Sequence, residues 1–166
     1  LCAKGSINLF NAWFGRGEDG ITINGLVWMG SFDEMFQRLE AKLTAGFRCV
    51  KLKIGAIDFK KEIELIRHIR QNFTRDRVEL RVDANGAFAP EEAMQRLETL
   101  AQYDIHSIEQ PIRQHQWQEM ARLCADSPLP IALDEELIGV NDPAEKALLL
   151  DTIRPQFIIL KPSLHG

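Results

Sequence analysis

The sequence predicts an α/β chain of the (β/α)8 TIM-barrel type, present as a partial barrel of about six strand–helix units. Three observations carry this prediction. Apolar, strand-like runs alternate with helix-like stretches, and Lys53, Asp83, Glu109, Asp134 and Lys161, which close five of those runs, follow one another at intervals of 30, 26, 25 and 27 residues. Each interval is one strand plus one helix. Chemically capable residues end nearly every run, as on the rim of a parallel barrel, whereas a doubly wound open sheet gathers them near its switch point. No glycine-rich phosphate loop follows a strand either, because Gly15-Arg-Gly17 precedes the first one.

Residues 1–20 are the least regular part, with a glycine-rich stretch from Asn11 to Gly20 that reads as a loop. They form a segment preceding the barrel, and residues 21–166 form the barrel itself. Ile21 to Met29 is the first strand, rich in β-branched and aromatic residues. Ser31 is a helix N-cap with Glu34 completing a capping box, and Gly46 suits the other end of that helix. The second unit is Cys49 to Ile54 and a helix from about Asp58, with Ile63, Ile66, Ile69 and Phe73 on one face. Val78 to Asp83 follows, then Pro90, Glu91 and Glu92 in a first helical turn. The fourth strand is Ile105 to Glu109, with a helix carrying Trp117, Met120 and Cys124. The fifth is Ile131 to Asp134, followed by Asp142 as N-cap and Pro143 as first helical residue. Phe157 to Leu160 is the sixth. A closed barrel needs eight strands and about 250 residues, so two further strands are expected beyond Gly166, and Leu1 suggests a clipped chain.

Composition narrows the function. The net charge of −4 without a basic cluster argues against nucleic acid or an anionic membrane surface as partner, and no apolar run is long enough to span a bilayer. Cys2, Cys49 and Cys124 are odd in number and widely spaced, which suits a reducing, cytoplasmic compartment.

Asp83, Glu109 and Asp134 are hard oxygen donors of the kind Mg²⁺ or Mn²⁺ takes. A divalent ion gripping a substrate carboxylate makes the adjacent carbon more acidic by stabilising the enediolate. A lysine can remove that proton if a neighbouring cation or burial lowers its pKa. Lys51 and Lys53 leave the same face of one strand, so Lys53 is the candidate base and Lys51 the neighbouring cation. Lys161, on the other side of the metal, is a second acid/base or a fixed charge. Bland readings exist for each part: Lys51-x-Lys53 as a solvated strand face, Asp83-Ala-Asn85-Gly86 as a turn, Asp134-Glu-Glu as an acidic loop. They fail together, because chance must then end five consecutive strands with charge. Arg113 and Gln114 could reach a substrate. His68, His106, His115 and His165 lack metal-ligand spacing, with His68 and His115 in helical stretches, and Trp13, Trp28 and Trp117 read as packing residues.

Lys51-x-Lys53, Asp83-Ala-Asn85, Glu109-Gln-Pro111, Asp134-Glu-Glu and Lys161-Pro162, in that order, resemble the enolase superfamily in its muconate-lactonizing-enzyme subgroup. The resemblance covers residues 21–166. It implies that Asp83, Glu109 and Asp134 bind Mg²⁺, that Lys53 is the base and that Lys161 faces it. It also implies an N-terminal capping domain, of which residues 1–20 could be the end. Within the subgroup, the runs Leu160–Leu164 and Ser107–Pro111 are similar to those of the menaquinone-pathway lyases that dehydrate 2-succinyl-6-hydroxy-2,4-cyclohexadiene-1-carboxylate. An N-acylamino-acid racemase or dipeptide epimerase would use the same lysines from opposite faces. A non-catalytic barrel fragment is the alternative of another class.

Overall fold

The computed structural model describes residues 16–20 and 22–165. Cys2, Trp13, Gly15 and Ile21, and with them half of the expected leading loop and the start of the first strand, lie outside the described residues. Six parallel strands alternate with helices: β1 (Gly25–Val27), α1 (Phe32–Thr44), β2 (Cys49–Lys53), α2 (Phe59–Asn72), β3 (Glu79–Asp83) and α3 (Pro90–Ala101) come first. Then follow β4 (Ser107–Glu109), α4 (Trp117–Asp126), β5 (Ile131–Leu133), α5 (Pro143–Ile153), β6 (Phe157–Ile158) and a short α6 (Pro162–His165). The strands lie in chain order, β1 to β6, with every pair parallel. This is the connectivity of a β/α barrel, with β1 and β6 at the open ends among the described residues.

Local chemistry sets the helix ends where the sequence places them. Ser31 and Glu34 form the reciprocal capping box of α1. Asp58 accepts from Lys60 N at the start of α2, and Asp142 accepts from Ala144 N and Glu145 N at the start of α5, where Pro143 needs no partner for a missing N–H. Strands come out shorter than their apolar runs. Asp134 ends the pairing of β5, and a 3-10 turn, Glu135–Leu137, follows at once. β6 keeps two paired residues, both exposed because β5 is its one sheet neighbour among the described residues.

Alternate residues of the strands face opposite ways. Val50, Leu52, Leu80, Val82, Ile108, Ile131 and Leu133 turn to the helices and join one buried apolar cluster with Leu39, Ile66, Leu97 and Leu123. A parallel strand buried on both faces usually reads as a continuous apolar run. Here the other face carries Lys51 and Lys53, Arg81 and Asp83, Ser107 and Glu109, which marks it as the chemical side.

Two packing features make checkable statements. Gly55, just past β2, has φ +93°, and a Cβ there would lie 2.3 Å from the Ala87 Cβ. Gly55→Ala is expected to destabilise the protein by roughly 2–4 kcal/mol through backbone strain and overpacking, read as a lower denaturant midpoint. Cys49 and Cys124 are both buried free thiols. Burial pushes both up, Cys124 to about 12, so neither offers thiolate to a reagent. Peptide mass spectrometry after native alkylation is expected to find both unmodified, and both labelled in denaturant. No described helix is long and apolar enough to cross a membrane.

Candidate active site

Strand register builds the site. Lys53 pairs with Asp83 across β2–β3, and Asp83 with Glu109 across β3–β4, so three side chains leave one face in a row. Glu109 pairs with Ala132, and Asp134, two residues on, continues the row from β5. Lys161 follows β6. All five strand-end residues predicted from sequence are therefore brought together with Lys51.

Lys53, Asp83, Lys51 and Glu109 form one chain of ion pairs, and Lys161 and Asp134 form a separate pair beside it. Lys53 Nζ lies 2.8 Å from Asp83 Oδ2 and 2.6 Å from Asn85 Oδ1. Lys51 Nζ bridges Asp83 Oδ2 at 3.0 Å and Glu109 Oε2 at 2.5 Å. Lys161 Nζ pairs with Asp134 Oδ2. Relative exposure is 9% for Lys53, 1% for Asp83, 5% for Glu109 and 1% for Asp134. At this depth charges interact strongly and must be matched.

The electrostatics follow from burial and neighbours. Burial and the adjacent Asp83 carboxylate, aided by a hydrogen bond with Asp134, raise Glu109 to about 7 against the opposing pull of Lys51. Burial would raise Asp83 too, but the hydrogen bond from Lys53 and the charge of Lys51 overcome it and hold Asp83 below its usual range. Burial works to lower Lys51, and the hydrogen bond to Glu109 with the charges of Asp83 and Glu109 outweighs it, leaving Lys51 raised. Lys51 is thus a cation committed to two carboxylates.

Among the described residues no three acidic, imidazole or thiol groups converge as a ready-made cation site, and lysine ammoniums pair with all three carboxylates. The donor set nevertheless fits a hard divalent ion. Three buried carboxylates adjoin one another, and Asp134 Oδ1 is buried without a hydrogen-bond partner.

Asn85, Gln110 and Glu136 stand within the motifs read from the sequence, but the sequence assigns them no role. Asn85 accepts from Lys53 and donates to Glu135 Oε1 at 2.8 Å, tying β3 to β5. Gln110, fully buried at φ +40°, accepts from Asp134 N and Glu136 N and donates to Ile112 O and Glu136 Oε2. Glu136 also accepts from His115 N at 2.8 Å, and His115 itself lies in a turn at φ +67° before α4. A polar residue at the end of a buried strand was the one available signal. Trp28 is 57% exposed, and Lys53 Nζ stands 5.0 Å from its ring centroid; it borders the site instead of filling the core. Trp117 does pack against the core. Arg113 and Gln114 are exposed in the loop after β4.

Comparison with known proteins adds a lineage. The family model described as "Enolase C-terminal domain-like" matches residues 34–151. An o-succinylbenzoate synthase from Desulfotalea psychrophila is 58% identical over 166 residues, all of this chain and 45% of that protein. The crystal structure of MenC from Desulfotalea psychrophila superposes with a TM-score of 0.83 at 58% identity, over 95% of this chain and 43% of that one. An L-Ala-D/L-Glu epimerase from Francisella tularensis subsp. novicida is 30% identical over 121 residues, 72% of this chain and 33% of that protein. The chain spans less than half the length of these relatives.

Proposed function

The chain belongs to the enolase C-terminal domain-like family, and from that membership we propose that it carries the catalytic residues of a Mg²⁺-dependent hydro-lyase, an o-succinylbenzoate synthase. The substrate is the small-molecule carboxylate 2-succinyl-6-hydroxy-2,4-cyclohexadiene-1-carboxylate. One observation carries the reading: Lys53 on Asp83 and Lys161 on Asp134 flank the row of three carboxylates from its two ends.

Asp83, Glu109 and Asp134 would hold Mg²⁺ or Mn²⁺. When bound, the ion supplies Lewis acidity that draws charge from the substrate carboxylate and acidifies the carbon beside it. Lys53, as the free amine, takes the proton from that carbon. The resulting ammonium gives a proton to the departing hydroxyl, which leaves as water, so the net change is loss of one water and the ring becomes aromatic. Asp83 and Asn85 fix Nζ in place for both transfers. Lys161 stays a cation and offsets negative charge from the opposite end. Lys51 balances Asp83 and Glu109.

The test uses the full-length protein. Adding the cyclohexadiene substrate with Mg²⁺ is expected to give ultraviolet loss of the diene that disappears on chelation. No loss, with metal-dependent exchange of the α-proton of dipeptides into deuterium oxide, would move the substrate to that of an epimerase, a reading favoured by the two opposed lysines. The metal set has its own readout. Asp134→Ala is expected to weaken Mn²⁺ binding by at least about tenfold, followed by water-proton relaxation; unchanged binding would remove Asp134 from the set.

A further inference from the structure

Glu62 lies in the first turn of α2, outside the row of lysines and carboxylates, and is fully buried. A buried carboxylate is retained at a cost unless it is well bonded. Its Oε1 accepts from Gly55 N at 2.6 Å and, more weakly, from Ile57 N at 3.4 Å, while Oε2 is buried without a partner. The helix does not require it as a cap, because Asp58 already fills that role. What it holds is the loop that begins two residues after Lys53.

That loop touches the next one. Gly55, held by Glu62, packs so closely on the β3–α3 loop that a Cβ would meet Ala87 Cβ at 2.3 Å and Ala84 O at 3.3 Å. Ile54 N donates to Asp83 O at 2.8 Å along the same seam. The β3–α3 loop in turn presents Asn85, whose Oδ1 holds Lys53 Nζ. Arg96 of α3 completes the far side, with its guanidinium 5.0 Å from the Phe59 ring and 4.9 Å from the Phe88 ring, and its charge acts on Glu62. The Phe59 and Phe88 rings meet edge to face, 6.1 Å apart.

We propose that Glu62 is the positioning residue for Lys53: by gripping residues 55–57 it seats Gly55 on Ala87 and fixes the end of β2 relative to Asn85. The proposal rests on the reading of Lys53 as the base. It gives the site a support on α2 that touches neither metal donors nor substrate. Reaction geometry is sensitive to such supports, since a displacement of about 1 Å can cost about a hundredfold in rate.

The test compares Glu62→Leu, Glu62→Gln and Glu62→Asp in the full-length protein labelled with ¹⁵N-lysine and ¹⁵N-asparagine. Glu62→Leu is expected to speed hydrogen exchange at residues 55–57 by about tenfold or more, to shift the Lys53 and Asn85 side-chain resonances, and to lower kcat by about ten- to a hundredfold with KM little changed. Glu62→Gln keeps an acceptor for Gly55 N and is expected to restore all three. If Glu62→Leu does not fold, Glu62→Asp decides, since its shorter reach releases Gly55 N and should shift the same two resonances. A loosened loop with Lys53 and Asn85 unmoved would make Glu62 a loop support only and overturn the proposal, as would a folded Glu62→Gln that restores nothing. Full activity in Lys53→Ala would instead sink the assignment of the base, while the resonance shifts would still judge Glu62.

Discussion

Lys53→Ala in the full-length protein is expected to lower kcat for the dehydration by about 10²–10⁴-fold, the range lost with a general acid–base group. Two features make this the largest functional effect. In the proposed mechanism Lys53 serves twice, taking the α-proton and returning one to the leaving hydroxyl, so its removal touches both halves of the elimination. Neither neighbouring amine stands in its place, since Lys51 lies between Asp83 and Glu109, and Lys161 lies on Asp134 at the other end of the row. Metal affinity should hold or tighten, since the substitution removes a positive charge lying 2.8 Å from Asp83. Steady-state kinetics beside Mn²⁺ titration separates the two. A kcat within tenfold of wild type would assign the proton transfer elsewhere, and lost metal binding would point to a collapsed site.

Gln110→Ala is expected to have the largest effect on stability, about 3–5 kcal/mol. The side chain is fully buried and serves Asp134 N, Glu136 N, Ile112 O and Glu136 Oε2 at once. Each buried group left without a partner costs about 1–3 kcal/mol, and the losses overlap at one site. In a domain of this size the melting temperature should fall by about 10 °C. Gln114→Ala, four residues away and exposed, should stay within about 0.5 kcal/mol and serves as the control in thermal unfolding. A fall of less than 2 °C for Gln110→Ala would mean that water or a shifted loop replaces its bonds.

Where the sequence was informative, the cause lies within a few residues or in a repeated spacing. Ser31, Asp58 and Asp142 cap helices because a short polar side chain reaches an amide two or three residues on, whatever the fold. The strand-end residues from Lys53 to Lys161 declared themselves because a parallel register carries the ends of successive strands to one rim. The roles of Gln110, Glu136 and Glu62 stayed hidden for the opposite reason. Each is an ordinary polar residue whose partners are backbone amides delivered by other elements, and nothing in the local pattern foretells that meeting. Trp28 was misleading in the same way: an aromatic residue beside a strand reads as core until the face it borders proves to be the charged one. The strands shortened because pairing stops where a side chain such as Asp134 or a loop turns the backbone away.

The chain-order sheet has a kinetic consequence. Every strand from β1 to β6 pairs with the strand that precedes or follows it in sequence, so among the described residues no pairing waits for a distant segment. Loop-closure entropy is then met in small equal steps. During synthesis at about 5–20 residues per second, one strand–helix unit emerges roughly every 1–5 s, and each can dock on the edge left by the unit before it. The growing edge is the vulnerable surface at every stage, and it is there that a chaperone, or a misdirected neighbour, would meet the nascent protein.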